Sequence, residues 1–258
     1  MFLQTIRRYK DIILYRTYAG IKSEGRRNYL GYLWFLLEPV LGTAVLYVAF
    51  TQITGRSGRE YALFLIVGMI IWQWFESSVM LGSTAIKAKF GVLNQYDLPK
   101  YIFPVVSILV NTWKFACVFA VVLAAAALLG FPPNRHFVHL PLLLFVQLML
   151  ITGVTLPLSI GVTLMNDLLT VTSSVFRLLF FISGIFFPVS AVPESLLSFF
   201  FMNPMAVLID SCRRVMLENR APDFSLLGGA VVITAVLFLA GLLLHAHFDK
   251  KLLKLTNA

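Results

Sequence analysis

Glu38, Glu76, Lys114 and Arg177 each stand inside a long apolar run of this 258-residue chain. Ionisable side chains in such surroundings are costly, and they persist where they pair, relay protons or meet a polar substrate. Counting back from the end of each run opposite its basic flank, at about 1.5 Å per residue, places Glu38 about 22 Å deep, Glu76 about 22 Å and Lys114 about 24 Å. The three share one level, some 6 to 8 Å inside the inner boundary of a hydrocarbon layer roughly 30 Å thick. A structural ion pair of Lys114 with Glu38 or Glu76 is the favoured reading of this buried charge layer, and a proton relay is the alternative. Arg177 lies about 15 Å deep, near the midplane, where no acidic residue shares its level. A guanidinium there should face protein or water, which makes Arg177 the candidate for substrate contact. A register shift of about 7 Å would instead pair it with Glu38 or Glu76.

Other chemistry is missing from the sequence. There is no Gly-x-x-x-x-Gly-Lys-Ser/Thr run to cradle a nucleotide, no Gly-x-Ser-x-Gly and no paired histidines on one helical face. Catalytic residues are therefore not expected. His136, His139, His245 and His247 lie near the ends of apolar runs without carboxylates or thiols at ligand spacing, so no metal site is expected. Cys117 and Cys212 imply no disulfide framework.

The chain is 59% hydrophobic and 13% charged, which leaves more apolar surface than any single globular core could bury. It reads as a polytopic membrane protein. Its net charge of +9 sits beside apolar segments, the pattern that sets topology and meets anionic lipid, so nucleic acid is not an expected partner. Spans of sufficient length fall near 31–54, 61–83, 104–129, 139–165, 171–189 and 225–248. With both termini inside, the inner segments carry thirteen Lys/Arg and the outer segments six, which supports that orientation. Residues 2–16 place Phe2, Ile6, Tyr9, Ile12 and Ile13 on one helical face and polar residues on the other, as in an interfacial amphipathic helix.

Two connecting segments have character of their own. The inner loop at about 85–103 holds Lys87, Lys89, Gly91, Val92, Asn94, Tyr96 and Pro99, and is longer than a connector needs. It is the candidate docking element for a cytoplasmic partner, with a basic membrane anchor as the alternative. Between the last two spans, about 192–218, Pro193 and Pro204 suit first helical turns, Asn203 suits an N-cap, and Arg213 and Arg214 complement a helix C-terminus. A re-entrant pair of short helices is expected there, lying against protein or a water-filled cavity, with a pair of interfacial helices lying flat as the alternative. The fold class is thus all-α: six transmembrane helices, an N-terminal amphipathic interface helix and a re-entrant pair between the fifth and sixth.

Several words of this sequence resemble the permease subunits of ATP-driven polysaccharide exporters, especially the capsule-export branch. They are Leu30-Gly31-Tyr32-Leu33-Trp34 with Leu37-Glu38-Pro39, Leu93-Asn94-Gln95, Ile185-Phe186-Phe187-Pro188, Val192-Pro193 and Asn203-Pro204, in that order. The resemblance covers nearly the whole chain. It implies an ABC-2-type transmembrane domain at 29–258 behind an interface helix and elbow at 1–28, in a homodimer with two separate ATP-binding cassette subunits that hold ATP and Mg. It further implies lipid-linked polysaccharide as cargo, the bacterial inner membrane as location, periplasmic export proteins as compatible partners, and a gate around Pro193, Asn203 and Pro204. Lys89, Gly91, Val92, Asn94 and Tyr96 would couple to the ATPase, and this chain would hold no cofactor. O-antigen and teichoic acid exporters share the plan, and a small-molecule ABC-2 permease is the alternative. On the fifth span Phe176, Phe180, Phe181, Phe186 and Phe187 are candidates to stack on sugar rings beside Arg177, although most of the 23 phenylalanines should face lipid or other helices.

Overall fold

The computed structural model describes the backbone of residues 2–27, 33–55, 57–89 and 98–248. The elbow residues Leu30, Gly31 and Tyr32 and the loop residues Gly91, Val92, Asn94 and Tyr96 lie outside the described residues. Among the described residues there are helices and no strand. They are α1 (Phe2–Arg27), α2 (Leu33–Thr54), α3 (Arg59–Ala88), α4 (Ile102–Leu128), α5 (Leu140–Leu164), α6 (Asp167–Ile182), α7 (Glu194–Phe201), α8 (Pro204–Met216) and α9 (Phe224–Phe248). A 3-10 turn, Arg135–His139, leads into α5.

The helix with the most covered surface is α3. Of its most apolar stretch 61% is buried, against 11% for α2 and 22% for α9, so the other helices are arranged around α3. Gln147 of α5, fully buried, donates from Nε2 to the carbonyl of Ile71 at 2.7 Å and fixes α5 against the middle of α3. On its other side α5 meets α9 backbone to backbone. A Cβ at Gly241 would lie 2.6 Å from the Gly153 carbonyl oxygen, so glycine permits the crossing, as is usual where membrane helices approach closely.

Five helices are long and apolar enough to cross a membrane: α2, α3, α4, α5 with its leading turn, and α9. Helix α6 has only 16 residues, or about 24 Å. The expected span 171–189 falls on α6 and the turn after it, and α6 alone is shorter than the five helices long enough to cross. Lys87, near the end of α3, donates to the Asn166 side chain just before α6. Trp72 of α3 packs on Phe176 and Phe180 of α6, with ring centroids 6.2 and 5.8 Å apart. The Tyr61 hydroxyl, in the first turn of α3, donates to the Phe186 carbonyl at 3.2 Å. Residues 166–186 thus run antiparallel to α3 from one end to the other.

The next two helices form the bent pair, 101° at the break between α7 and α8. Pro193 takes the N-cap position of α7. Asn203 caps α8, its Oδ1 accepting from the Met205 amide at 3.0 Å, and Pro204 stands in the first helical turn where its missing N–H is harmless. Helix α7 is mostly exposed, whereas α8 is buried around nearly its whole circumference, including Leu208, Ile209 and Cys212. At the break itself Met202 is exposed and Asn203 and Pro204 are half-buried, so protein covers α8 and only part of the break. The expected role of Arg213 at the C-terminal end of α8 is corrected by the structure. Its side chain leaves its own helix for carbonyls of other elements, while Arg214 turns back to Asp210 at 2.8 Å.

Helix α1 is longer than its amphipathic leader. Its second half packs along α4 in a parallel sense, with Arg16 over the Phe103 ring at 5.2 Å and Glu24 beside Lys114.

Candidate functional site

A cleft of about 810 Å³ opens between α2, α3, α4 and α6, with the end of α1 at its edge. Its size falls within the range of roughly 300–1,000 Å³ typical of small-molecule sites. Each wall follows from helical spacing. Helix α3 contributes Trp72, Gln73, Glu76, Ser77 and Met80, residues that share one broad face at three- and four-residue intervals. Helix α4 contributes Asn111, Lys114, Phe115 and Val118 on the same principle, and α2 contributes Trp34, Phe35, Glu38 and Gly42. Helix α6 closes one side with Arg177 and Phe180.

All four ionisable residues that the sequence placed in apolar runs therefore line a single cleft. Their pairing differs from the expectation. Lys114 Nζ lies 3.0 Å from Glu24 Oε2, not beside Glu38 or Glu76, and 4.7 Å from the centre of the Phe35 ring. The cause is α1, which rises beside α4 and brings its own carboxylate to the lysine. Glu76 accepts from Trp72 Nε1 at 2.8 Å, one turn back on the same helix. Glu38 is exposed, so the three do not form a sealed charge layer. Arg177 is also exposed, and among the described residues neither it nor Glu38 has an ion pair or hydrogen bond. The alternative pairing of Arg177 with Glu38 or Glu76 is not made.

Aromatic surface surrounds these charges. Trp74 stacks on Phe115 with centroids 4.1 Å apart, and its Nε1 points to Thr112 Oγ1 at 3.3 Å, so both rings are held in fixed orientation. Of the phenylalanines proposed to line a pathway, Phe180 does reach the cleft. Phe176 does not: it is 4% exposed, wedged against Trp72 and Phe75, and serves as core packing. Phe181 is exposed beside Phe180 and Phe186. Phe187 lies in the turn beyond α6, against Phe200 of α7, away from the cleft. Phe186 is buried and stacks on Phe50 at 4.9 Å. The sequence reading missed Glu24, Gln73, Asn111 and the three tryptophans of the cleft. Polar amides within apolar runs and the Trp72-x-x-x-Glu76 spacing were the available signals.

Lys89 closes the C-terminal end of α3, its amide bonded to the Ile86 carbonyl at 3.1 Å. The other four coupling candidates fall outside the described residues.

Comparison with known proteins agrees with this architecture. The chain is 26% identical over 234 residues to the O-antigen export system permease protein RfbA of Myxococcus xanthus, covering 90% of each. It is 23% identical over 210 residues to the Klebsiella pneumoniae protein of the same name, covering 81% of each. The polysialic acid transport protein KpsM of Escherichia coli is 24% identical over 227 residues, covering 87% of this chain and 88% of that one. The family model described as ABC-2 type transporter matches residues 16–217, and with most of its length inside that match the chain belongs to the ABC-2 type transporter membrane family.

Proposed function

We propose that this protein is the permease subunit of an ATP-driven exporter that moves lipid-linked polysaccharide, of O-antigen or capsule type, across the bacterial inner membrane. The observation that carries the reading is the cleft, in which fixed aromatic faces stand beside two ionisable groups, Glu38 and Arg177, that lack a partner among the described residues. Aromatic rings stack on the apolar faces of sugars, and carboxylates or amides accept their hydroxyls. A planar guanidinium suits the phosphate that links a glycan to its lipid. The relatives named for O-antigen export and polysialic acid transport support the same substrate class.

Glu38 and Arg177 are exposed on one subunit, and charged groups do not face hydrocarbon. A second copy together with water along the open side of the cleft provides the environment they need, so the working permease is a homodimer. ATP and Mg belong to two cytoplasmic cassette subunits that dock on the 85–103 loop, and both termini lie on the cytoplasmic side with them. Co-isolation with the cognate ATPase tests this assembly: native mass spectrometry should give two copies of each subunit and a bound glycolipid. A chain that is isolated as a monomer, or that never retains the ATPase, contradicts it.

A further inference from the structure

Arg213, in the last turn of α8, is only 4% exposed. Its guanidinium serves three carbonyls in two other elements. Nε donates to Phe64 of α3 at 3.0 Å, one terminal nitrogen to Gly184 at 2.6 Å and the other to Ile185 at 2.7 Å. The guanidinium carbon lies 3.4 Å from the centre of the Phe64 ring. Among the described residues no carboxylate forms an ion pair with it, and the Asp210 bond goes to Arg214. Gly184 and Ile185 follow the C-terminal end of α6, where carbonyls carry partial negative charge, so the turn itself acts as the counter-ion. Gly68 makes the recess: a Cβ there would lie 2.3 Å from the Arg213 terminal nitrogen.

The same turn is held twice more. Asn203, at the break between α7 and α8, donates from Nδ2 to Ser183 Oγ at 2.8 Å, and the Tyr61 hydroxyl takes the Phe186 carbonyl at 3.2 Å. The consecutive carbonyls of Gly184, Ile185 and Phe186 are thus all bound by side chains of α3 and α8.

We propose that Arg213 is a positioning residue that fastens α8, the turn after α6 and the first turns of α3 into one body, so that the re-entrant helices travel with α6 during transport and do not open as a separate flap. Lysine cannot substitute, because one ammonium cannot offer a planar fork to carbonyls of two elements at once. The proposal rests on the export reading only where export is the readout.

The test uses a disulfide across the Ser183–Asn203 contact, made by Ser183→Cys and Asn203→Cys with Cys117→Ala and Cys212→Ala, in membranes containing the whole exporter. Disulfide yield should be the same without nucleotide and after vanadate trapping of the ATPase, and oxidised exporter should move glycan as fast as reduced exporter. Arg213→Met, Arg213→Lys and Gly68→Ala should each lower the yield at least threefold. A yield that differs between the two nucleotide states, or export stopped by oxidation and restored by reduction, overturns the one-body proposal. So does an unchanged yield in a variant lacking Arg213. Should the Arg213 variants fail to accumulate, the nucleotide comparison with Arg213 intact still decides. A protein that exports nothing even when reduced sinks the transport reading, while the yields of the Arg213 and Gly68 variants still test the clamp by themselves.

Discussion

Glu24 Oε2 and Lys114 Nζ, 3.0 Å apart, join the end of α1 to the middle of α4 at the edge of the cleft. Their side chains are only 28% and 16% exposed, so the pair is shielded from much of the solvent screening that weakens surface ion pairs. Either charge alone would leave the other in a poor environment.

The first expectation concerns that pair. Glu24→Gln and Lys114→Gln should each lower the thermal stability of the purified protein, and the double variant should recover part of the loss. A coupling energy of about 0.5–3 kcal/mol is expected for groups in direct contact. A double-mutant cycle by thermal melting in detergent measures it, and additive single effects would show that the contact contributes nothing.

Helix α9 supplies a sharper contrast. Gly241→Ala pushes a methyl group to 2.6 Å from the Gly153 carbonyl oxygen, whereas a Cβ at Gly229 meets nothing within 4 Å. The first change should cost about 1–3 kcal/mol through overpacking. The second should be neutral or stabilise by up to about 1 kcal/mol through helix propensity. Equal melting temperatures for the two variants would contradict the close α5–α9 crossing.

The sequence made the helices and most of their ends legible because apolar run length, Pro204 and the Asn203 cap are local signals. It also picked out Glu38, Glu76, Lys114 and Arg177, since each is the odd residue in an apolar run. What it could not supply was lateral placement. Depth counting assigned Lys114 to a carboxylate at its own level, but the partner came from α1, a helix expected to lie on the membrane surface. Arg213 was misread for a related reason. Near a helix C-terminus an arginine ordinarily serves its own last carbonyls, and only the fold shows that α6 ends within reach of it. Phe176 and Phe180 are one helical turn apart, and which of them faces the cleft is decided by Trp72 and Phe75.

Docking of the ATPase on the loop at 85–103 is expected from its length and composition. Cysteines at Gly91 or Val92 should cross-link to cysteines on the partner. Replacing the loop by a short Gly/Ser linker should abolish stimulation of export by ATP while leaving membrane insertion intact. Coupled hydrolysis and transport after that replacement would place the docking element elsewhere.

ATP-driven glycan movement past Arg177 is measured by the rate at which lipid-linked polysaccharide becomes accessible to a lectin on the far side of proteoliposomes holding the complete exporter. The expected result is ATP-dependent appearance with the unmodified chain, a loss of at least tenfold with Arg177→Gln and partial retention with Arg177→Lys, all with an assembled complex. Undiminished ATP-dependent transport by Arg177→Gln would show that glycan does not pass Arg177, and no ATP-dependent appearance with the unmodified chain would show that the protein is not a glycan exporter.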